Sequence, residues 1–158
     1  MVADIAKLSM GREAYYTREL AIDHLVVGPG GVFVIDSKKY RGRLQLDRSG
    51  RLWHGCYPLA PALRALSFEA DQAALVLTDP DVVVVPVMAI HGSQVPWGKV
   101  VMDGVPVVSA RHLPSMLRQL PAVLGPERVA WLADQARVRF HHAAALPGGL
   151  PGGFRPCC

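Results

Sequence analysis

Two short apolar segments separated by a glycine-rich turn form the clearest hydrophobic pattern in the chain. Residues 22–27 and 32–36 are rich in valine, isoleucine and other strand-forming residues, and residues 28–31 between them read GPGG. This pattern predicts a β-hairpin. Apolar residues occupy both alternating sets of positions in the two segments, so we expect the hairpin to lie in a sheet that is covered on both faces.

The rest of the hydrophobic pattern predicts an α/β protein. The predicted strands cover residues 42–46, 51–55, 82–90 and 105–108, and the predicted helices cover residues 1–20, 62–77, 111–120 and 126–139. Residues 82–90 have no polar interruption, which is typical of a strand buried on both faces. Apolar residues recur at helical spacing over residues 62–77, and this stripe should pack on the sheet. Together these elements predict a central mixed sheet flanked by helices on both faces.

The register of the predicted hairpin brings two carboxylates together. If residues 27 and 32 pair across the turn, Asp23 lies directly opposite Asp36, on the same side of the sheet and with Cβ atoms about 5 Å apart. Like charges at that distance repel, whereas a hard divalent cation between them takes carboxylate oxygens as ligands. Lys38, two residues beyond Asp36, returns to the same face. The hairpin therefore predicts a metal site of two carboxylates with an ammonium group beside it.

Basic residues are concentrated just after this site. The net charge is only +4, yet six lysines and arginines fall within residues 38–51, which contain one acidic residue. A basic segment beside a candidate metal site favours an anionic polymer as the partner. We therefore predict that Lys39, Arg41 and Arg43 bind nucleic acid, although a solvated strand face is the more common meaning of such a run.

Length and composition narrow the class of protein further. At 158 residues, 51% hydrophobic and 19% charged, the chain predicts one globular domain over residues 1–142 and a disordered tail, rich in proline and glycine, over residues 143–158. The longest apolar run is too short to span a bilayer, and the N-terminus lacks the apolar core of a signal peptide, so we expect a cytoplasmic protein. The three cysteines have neither zinc-ligand nor disulfide-framework spacing.

Residues 22–44, IDHLVVGPGGVFVIDSKKYRGRL, closely resemble the signature of the nuclease-related domain (NERD) family. That signature has an Asp-His strand, a glycine-rich turn, an acidic-x-Lys strand and a following aromatic-x-Gly. The resemblance extends to about residue 136 and implies a PD-(D/E)XK, or restriction-endonuclease-like, core. It also implies that Asp23, Asp36 and Lys38 are the two acids and the lysine of the nuclease motif.

The resemblance implies a Mg²⁺-dependent (or Mn²⁺-dependent) nuclease that hydrolyses the phosphodiester bonds of DNA. Asp23 and Asp36 would hold the metal, and Lys38 would orient the attacking water or stabilise charge in the transition state. Two alternatives stay open. The chain could be a catalytically inactive nucleic-acid-binding module that keeps the nuclease scaffold, or an interaction domain whose basic hairpin meets an acidic partner.

The third acidic residue is the open part of the predicted site. Members of the family usually carry a Gly-Glu pair on a longer opening helix, whereas here only twenty-two residues precede Asp23. Glu13 or Glu19 could substitute, but Glu19 in the same strand as Asp23 would lie ~13 Å away. Glu69 and Gln72 could approach the site from the central helix, although a solvated position is more common.

Two other residues could line a groove. His91 follows the predicted buried strand, and Trp97 lies a few residues further on. A strand-end histidine and a packed tryptophan are the more ordinary meanings of these positions.

Overall fold

The computed structural model describes residues 3–9 and 21–142, with side chains for residues 22–140. The strands are β1 (Ala3–Ser9), β2 (Ala21–Gly28), β3 (Gly31–Leu46), β4 (Leu52–His54), β5 (Tyr57–Pro58), β6 (Val84–Gln94), β7 (Lys99–Met102), β8 (Val105–Ser109) and β9 (His141–His142). The helices are α1 (Ala60–Leu77), α2 (Leu113–Gln119) and α3 (Pro126–Arg139), and two short 3-10 turns cover Pro96–Gly98 and Ala110–His112.

Seven strands form the main path of the sheet, in the order β7-β8-β6-β3-β2-β1-β9, and the short strands β4 and β5 extend from β3. β3 and β6 are parallel, as are β6 and β8. The remaining pairs, including the β2–β3 hairpin, are antiparallel. The predicted mixed sheet is therefore confirmed.

Helices cover both faces of this sheet, as predicted. On one face, Leu25 and Val34 of the hairpin pack with buried residues of α1 and α3. On the other face, Val26 and Phe33 pack with residues of α2. The mixed sheet between two helical layers is consistent with the restriction-endonuclease-like core implied by the resemblance.

Of the helices over the first face, α1 begins two residues before its predicted start at residue 62 and ends at the predicted residue 77. In α1 the buried residues are spaced by three or four positions, which gives one apolar stripe against the sheet: Leu63, Leu66, Ala70, Ala73 and Leu77. Pro126 opens α3, and two arginines in its last turn complement the negative end of the helix dipole. The observed bounds of α3, Pro126–Arg139, are those of the prediction.

The predicted hairpin register is also confirmed. Val27 pairs with Val32, and His24 pairs with Ile35. β3 is longer than predicted, because the two strands expected at residues 32–36 and 42–46 are one strand of sixteen residues. The residues between them pair with the parallel neighbour β6, and the pairing shifts by one residue at a bulge between Lys39 and Gly42.

The prediction of a helix over residues 1–20 is wrong for the part that the structure describes. Ala3–Ser9 is a strand that pairs along β2, with Ala3 opposite Val27 and Ser9 opposite Ala21. The edge of β2 offers a row of backbone hydrogen-bonding groups, and pairing with this edge outweighs the weak helical periodicity of the segment. Residues 10–20, with Glu13 and Glu19, lie outside the described residues, as does the predicted tail over residues 143–158.

None of the helices in the described part of the chain is long and apolar enough to cross a membrane.

Candidate active site

The two predicted carboxylates meet at the open end of the β2–β3 hairpin. The observed register, continued by one pair beyond His24 and Ile35, places Asp23 opposite Asp36. The Oδ2 atom of Asp23 also accepts a hydrogen bond of 3.3 Å from the backbone N–H of Ser37, the residue after Asp36. Both aspartates are partly buried. The structure thus brings together the pair that the turn geometry predicted.

Lys38 lies beside this pair. Its Nζ atom is 2.8 Å from Oδ2 of Asp36, and the side chains of Lys38 and Asp36 are 38% and 13% exposed. The alternation of β3 explains the contact, since Val34, Asp36 and Lys38 point to one side of the sheet. Val34 packs in the core under α1, so the three site residues lie on the α1 face.

The ionisation of these residues reflects their close packing. Burial raises the pKa of Asp36, and the hydrogen bond and charge of Asp23 raise it further, whereas the neighbouring ammonium of Lys38 lowers it. The net result is a raised pKa. Burial lowers the pKa of Lys38, but its hydrogen bond and ion pair with Asp36, together with the charge of Asp23, outweigh burial and raise it. The pair therefore carries an electrostatic cost that a cation would relieve.

Tyr40 continues the same row on β3 and was not predicted. Its ring stacks on that of His54 with centroids 4.3 Å apart, and Nε2 of His54 lies 2.6 Å from the backbone carbonyl oxygen of Arg41. Burial raises the pKa of the Tyr40 hydroxyl, the charge of Lys38 lowers it, and the charge of Asp36 raises it, with a net rise. The period of two along β3, which gives Asp36, Lys38 and Tyr40, was the sequence signal that could have identified it.

Glu69 reaches the site from α1. It flanks the buried stripe of that helix and is itself partly buried. Burial raises its pKa, and so do the charges of Asp36 and Asp23, while Lys38 opposes the rise. Glu69 therefore lies within electrostatic range of the carboxylate pair, and a purely solvated position does not describe it. Within the part of the chain that the structure describes, Gln72 makes no hydrogen bond to these residues.

The three predicted nucleic-acid contacts lie on β3 just beyond Lys38. Lys39, Arg41 and Arg43 are exposed, whereas the intervening Tyr40 and Leu44 pack against the core under α1. Alternation directs Lys39 away from the carboxylate pair, and Arg41 and Arg43 lie at and beyond the bulge of β3. Among the described residues none of these three cations has an ion-pair partner.

The donor set at the site fits Mg²⁺ or Mn²⁺. Among the residues described, no group of three or more histidine, cysteine, aspartate or glutamate side chains is arranged to hold a metal ion. Mg²⁺, however, commonly binds through one or two carboxylates and keeps several water ligands. Asp23 and Asp36 supply two such carboxylates at facing positions, with Glu69 close by.

The family comparison agrees with this geometry. A family model described as the nuclease-related domain matches residues 7–92, which is more than half of the chain. The matched stretch contains the hairpin, all of β3, the site residues and α1. No curated protein and no solved structure matches the chain.

Proposed function

The chain belongs to the nuclease-related domain family, within the restriction-endonuclease-like superfamily, and on that premise we propose that it is a metal-dependent nuclease that hydrolyses phosphodiester bonds of DNA. The observation that carries the proposal is the facing carboxylate pair with the Lys38 ammonium 2.8 Å from Asp36. Asp23 and Asp36 would hold Mg²⁺ or Mn²⁺. The bound ion would supply charge neutralisation at the phosphate and an activated water.

The residues of the chain have distinct roles in this proposal. The backbone N–H of Ser37 holds the Asp23 carboxylate towards Asp36, so both ligands are oriented before substrate arrives. Lys38 supplies a fixed positive charge where negative charge develops on the phosphate, and partial burial strengthens that interaction relative to water. Tyr40 and Glu69 border the site on the same face and would position water or phosphate oxygens.

One observation favours a second candidate, a nucleic-acid-binding module without turnover. The described residues contain no three-membered cluster of metal-ligating side chains. A scaffold with only two acids at the site could still bind nucleic acid. Metal-dependent cleavage distinguishes the two candidates directly.

The test is a cleavage assay on supercoiled, linear and single-stranded DNA with Mg²⁺, Mn²⁺ or EDTA. Asp36→Asn and Lys38→Ala should each reduce cleavage by about 100-fold or more, while the circular dichroism spectrum and the affinity for DNA stay close to those of the wild type. Asp71→Asn is the matched control, because Asp71 is an exposed acid on α1 and its loss should leave cleavage unchanged.

Each outcome of this assay has a clear meaning. Equal cleavage by the wild type and both site variants would reveal another active site or a contaminating nuclease. DNA binding by the wild type without metal-dependent cleavage would support the binding module instead.

A further inference from the structure

A second cavity, which we call the Trp97 cleft, opens beyond the carboxyl ends of the parallel strands β6 and β8. Its volume is about 860 Å³, and the side chains that matter here are His91, Gln94, Trp97, Arg111 and His112. Among the described residues that line the cleft there is no carboxylate, whereas an arginine and two histidines are present. A cavity of this size and charge suits a small anionic group or part of a larger polyanion.

Trp97 is the unusual residue of this cleft. Its side chain is 86% exposed, although tryptophan gains more than most residues from burial. Its backbone has φ 53° and ψ 16°, a left-handed conformation that a bulky residue rarely adopts. The expectation of a packed tryptophan is therefore wrong. A strained backbone that presents a large aromatic ring to solvent is typical of a binding position.

The walls of the cleft are held by close backbone contacts. The hydroxyl of Ser93 donates a 2.8 Å hydrogen bond to the carbonyl oxygen of Gly42 on β3. A Cβ atom on Gly92 would lie 2.7 Å from the carbonyl oxygen of Tyr40, and one on Gly98 would lie 2.9 Å from Nδ1 of His112. The close approach at positions 92 and 98 requires glycine there, and the Ser93 hydrogen bond joins this wall of the cleft to β3.

Trp97 also borders a smaller cavity of about 300 Å³, which is lined as well by Lys99, His112, Ser115 and Gln119. None of its lining residues in the described part of the chain is a carboxylate. The indole of Trp97 is therefore accessible from two neutral or basic spaces. A flat aromatic ring between two such spaces can stack a planar group.

The cleft also faces the side of the sheet that carries the basic residues. Lys39 pairs with His91 in the parallel register of β3 and β6, so their side chains point to the same face. Beyond the bulge, Gly42 and Arg43 pair with Ser93 and Gln94, which line the cleft. A row of cations thus leads along β3 to the edge of the Trp97 cleft, where Gly42 forms part of the wall.

We propose that the Trp97 cleft binds an unpaired nucleotide of single-stranded DNA, with its base stacked on the indole of Trp97 and its phosphate at Arg111. The choice of DNA as the polymer rests on the proposed nuclease function. Bases in a duplex are stacked on one another and cannot offer a free face to an aromatic ring, whereas every unpaired base can. Arg111 and the cations along β3 favour the anionic sugar-phosphate backbone, and no carboxylate among the described lining residues would repel it.

The test measures the affinity of the whole chain for fluorescently labelled oligo(dT) and for a duplex of equal length, in EDTA so that cleavage cannot interfere. Trp97→Gly removes the ring and tolerates the observed φ. It should weaken binding of single strands by about 5- to 150-fold, with duplex affinity unchanged. Trp97→Phe should retain most of the affinity. Trp131→Ala is the matched control, because Trp131 is 43% exposed on α3, away from the cleft.

The results separate this proposal from the nuclease proposal. Equal single-strand affinity in the wild type and Trp97→Gly would overturn it, as would no binding of single strands by the wild type or an equal loss for single strands and duplex. Trp97-dependent binding without metal-dependent cleavage would support the cleft while rejecting the nuclease. Asp36-dependent cleavage together with single-strand binding that does not change in Trp97→Gly would support the nuclease and reject the cleft.

Discussion

Binding of a divalent cation between Asp23 and Asp36 should raise the melting temperature of the protein. A ligand that binds only the folded state stabilises it by RT ln(1 + [L]/Kd), which is about 2.7 kcal/mol at a concentration 100 times Kd. For domains of roughly 150–250 residues, each kcal/mol shifts the melting temperature by about 2–4 °C. We therefore expect Mg²⁺ or Mn²⁺ at that excess to raise it by about 5–11 °C.

Asp36→Asn should not lower the melting temperature of the metal-free protein, whereas most substitutions destabilise a protein. The pKa of Asp36 lies above 3.8, because burial and the neighbouring Asp23 outweigh Lys38. A carboxyl with a raised folded-state pKa contributes stability that is fully present below pH 3.8 and is lost as the pH rises through the folded-state pKa. At neutral pH the wild type has lost that contribution. Asparagine imitates the neutral acid, so the variant should melt at the same temperature as the wild type or higher.

The assay is calorimetric or fluorescence-detected melting at pH 7, in EDTA and over a series of Mg²⁺ and Mn²⁺ concentrations. The wild type should gain stability with metal, and Asp36→Asn should lose most of that gain. Asp71→Asn, which removes an exposed charge on α1, should gain as much as the wild type. Equal gains in wild type and Asp36→Asn would refute the metal site. A metal-free Asp36→Asn protein that is much less stable than the wild type would show that the attraction between Asp36 and Lys38 outweighs the repulsion between Asp36 and Asp23.

Two further predictions concern the surface around the site. Replacing both Arg41 and Arg43 with alanine should reduce the magnitude of the slope of log affinity for duplex DNA against log salt by about 1.8, at ~0.9 for each lost phosphate contact. Arg64→Ala, at an exposed position on α1, is the control. An unchanged slope in the double variant would mean that DNA binds elsewhere on the protein. The pKa of Glu69 lies above 4.5, chiefly because of burial and then the charge of Asp36, so the folded state loses stability as the pH rises from 4.5 through the folded-state pKa. Glu69→Gln should flatten that fall in melting curves recorded against pH, and a curve parallel to that of the wild type would mean that folding does not raise the pKa of Glu69.

The carboxylate site could be located from the sequence because a local feature determines it. The turn of residues 28–31 sets which residues of β2 and β3 face each other, and the observed pairing of Val27 with Val32 follows from it. Once the register is known, alternation along β3 assigns Asp36 and Lys38 to one face. The bounds of α3 were predictable for a similar reason, since Pro126 is itself the start signal.

Features that depend on remote partners could not be predicted in the same way. Ala3–Ser9 is a strand because the edge of β2 is available to it, and its own residues give no strong strand pattern. Glu69 approaches Asp36 because α1 packs across the sheet at one angle and not another, which periodicity does not specify. The exposure of Trp97 depends on a left-handed backbone at a short 3-10 turn, for which a tryptophan gives no signal.

The alternation of β3 gives its two faces different chemistry. Asp36 and Lys38 face α1, whereas Lys39 and Arg43 pair with His91 and Gln94, which line the Trp97 cleft. A nucleic acid bound at the Trp97 cleft would therefore have to pass around an edge of the sheet to reach the carboxylates. The seven residue-to-residue steps from Asp36 to Arg43 span ~23 Å at ~3.3 Å per step. A flexible single strand can follow such a path around the edge of a sheet, while a stiff duplex cannot bend over that length without a large deformation energy. For the proposed nuclease, this geometry favours an unpaired strand, or an unpaired end of a duplex, as the part of DNA that would reach Asp23 and Asp36.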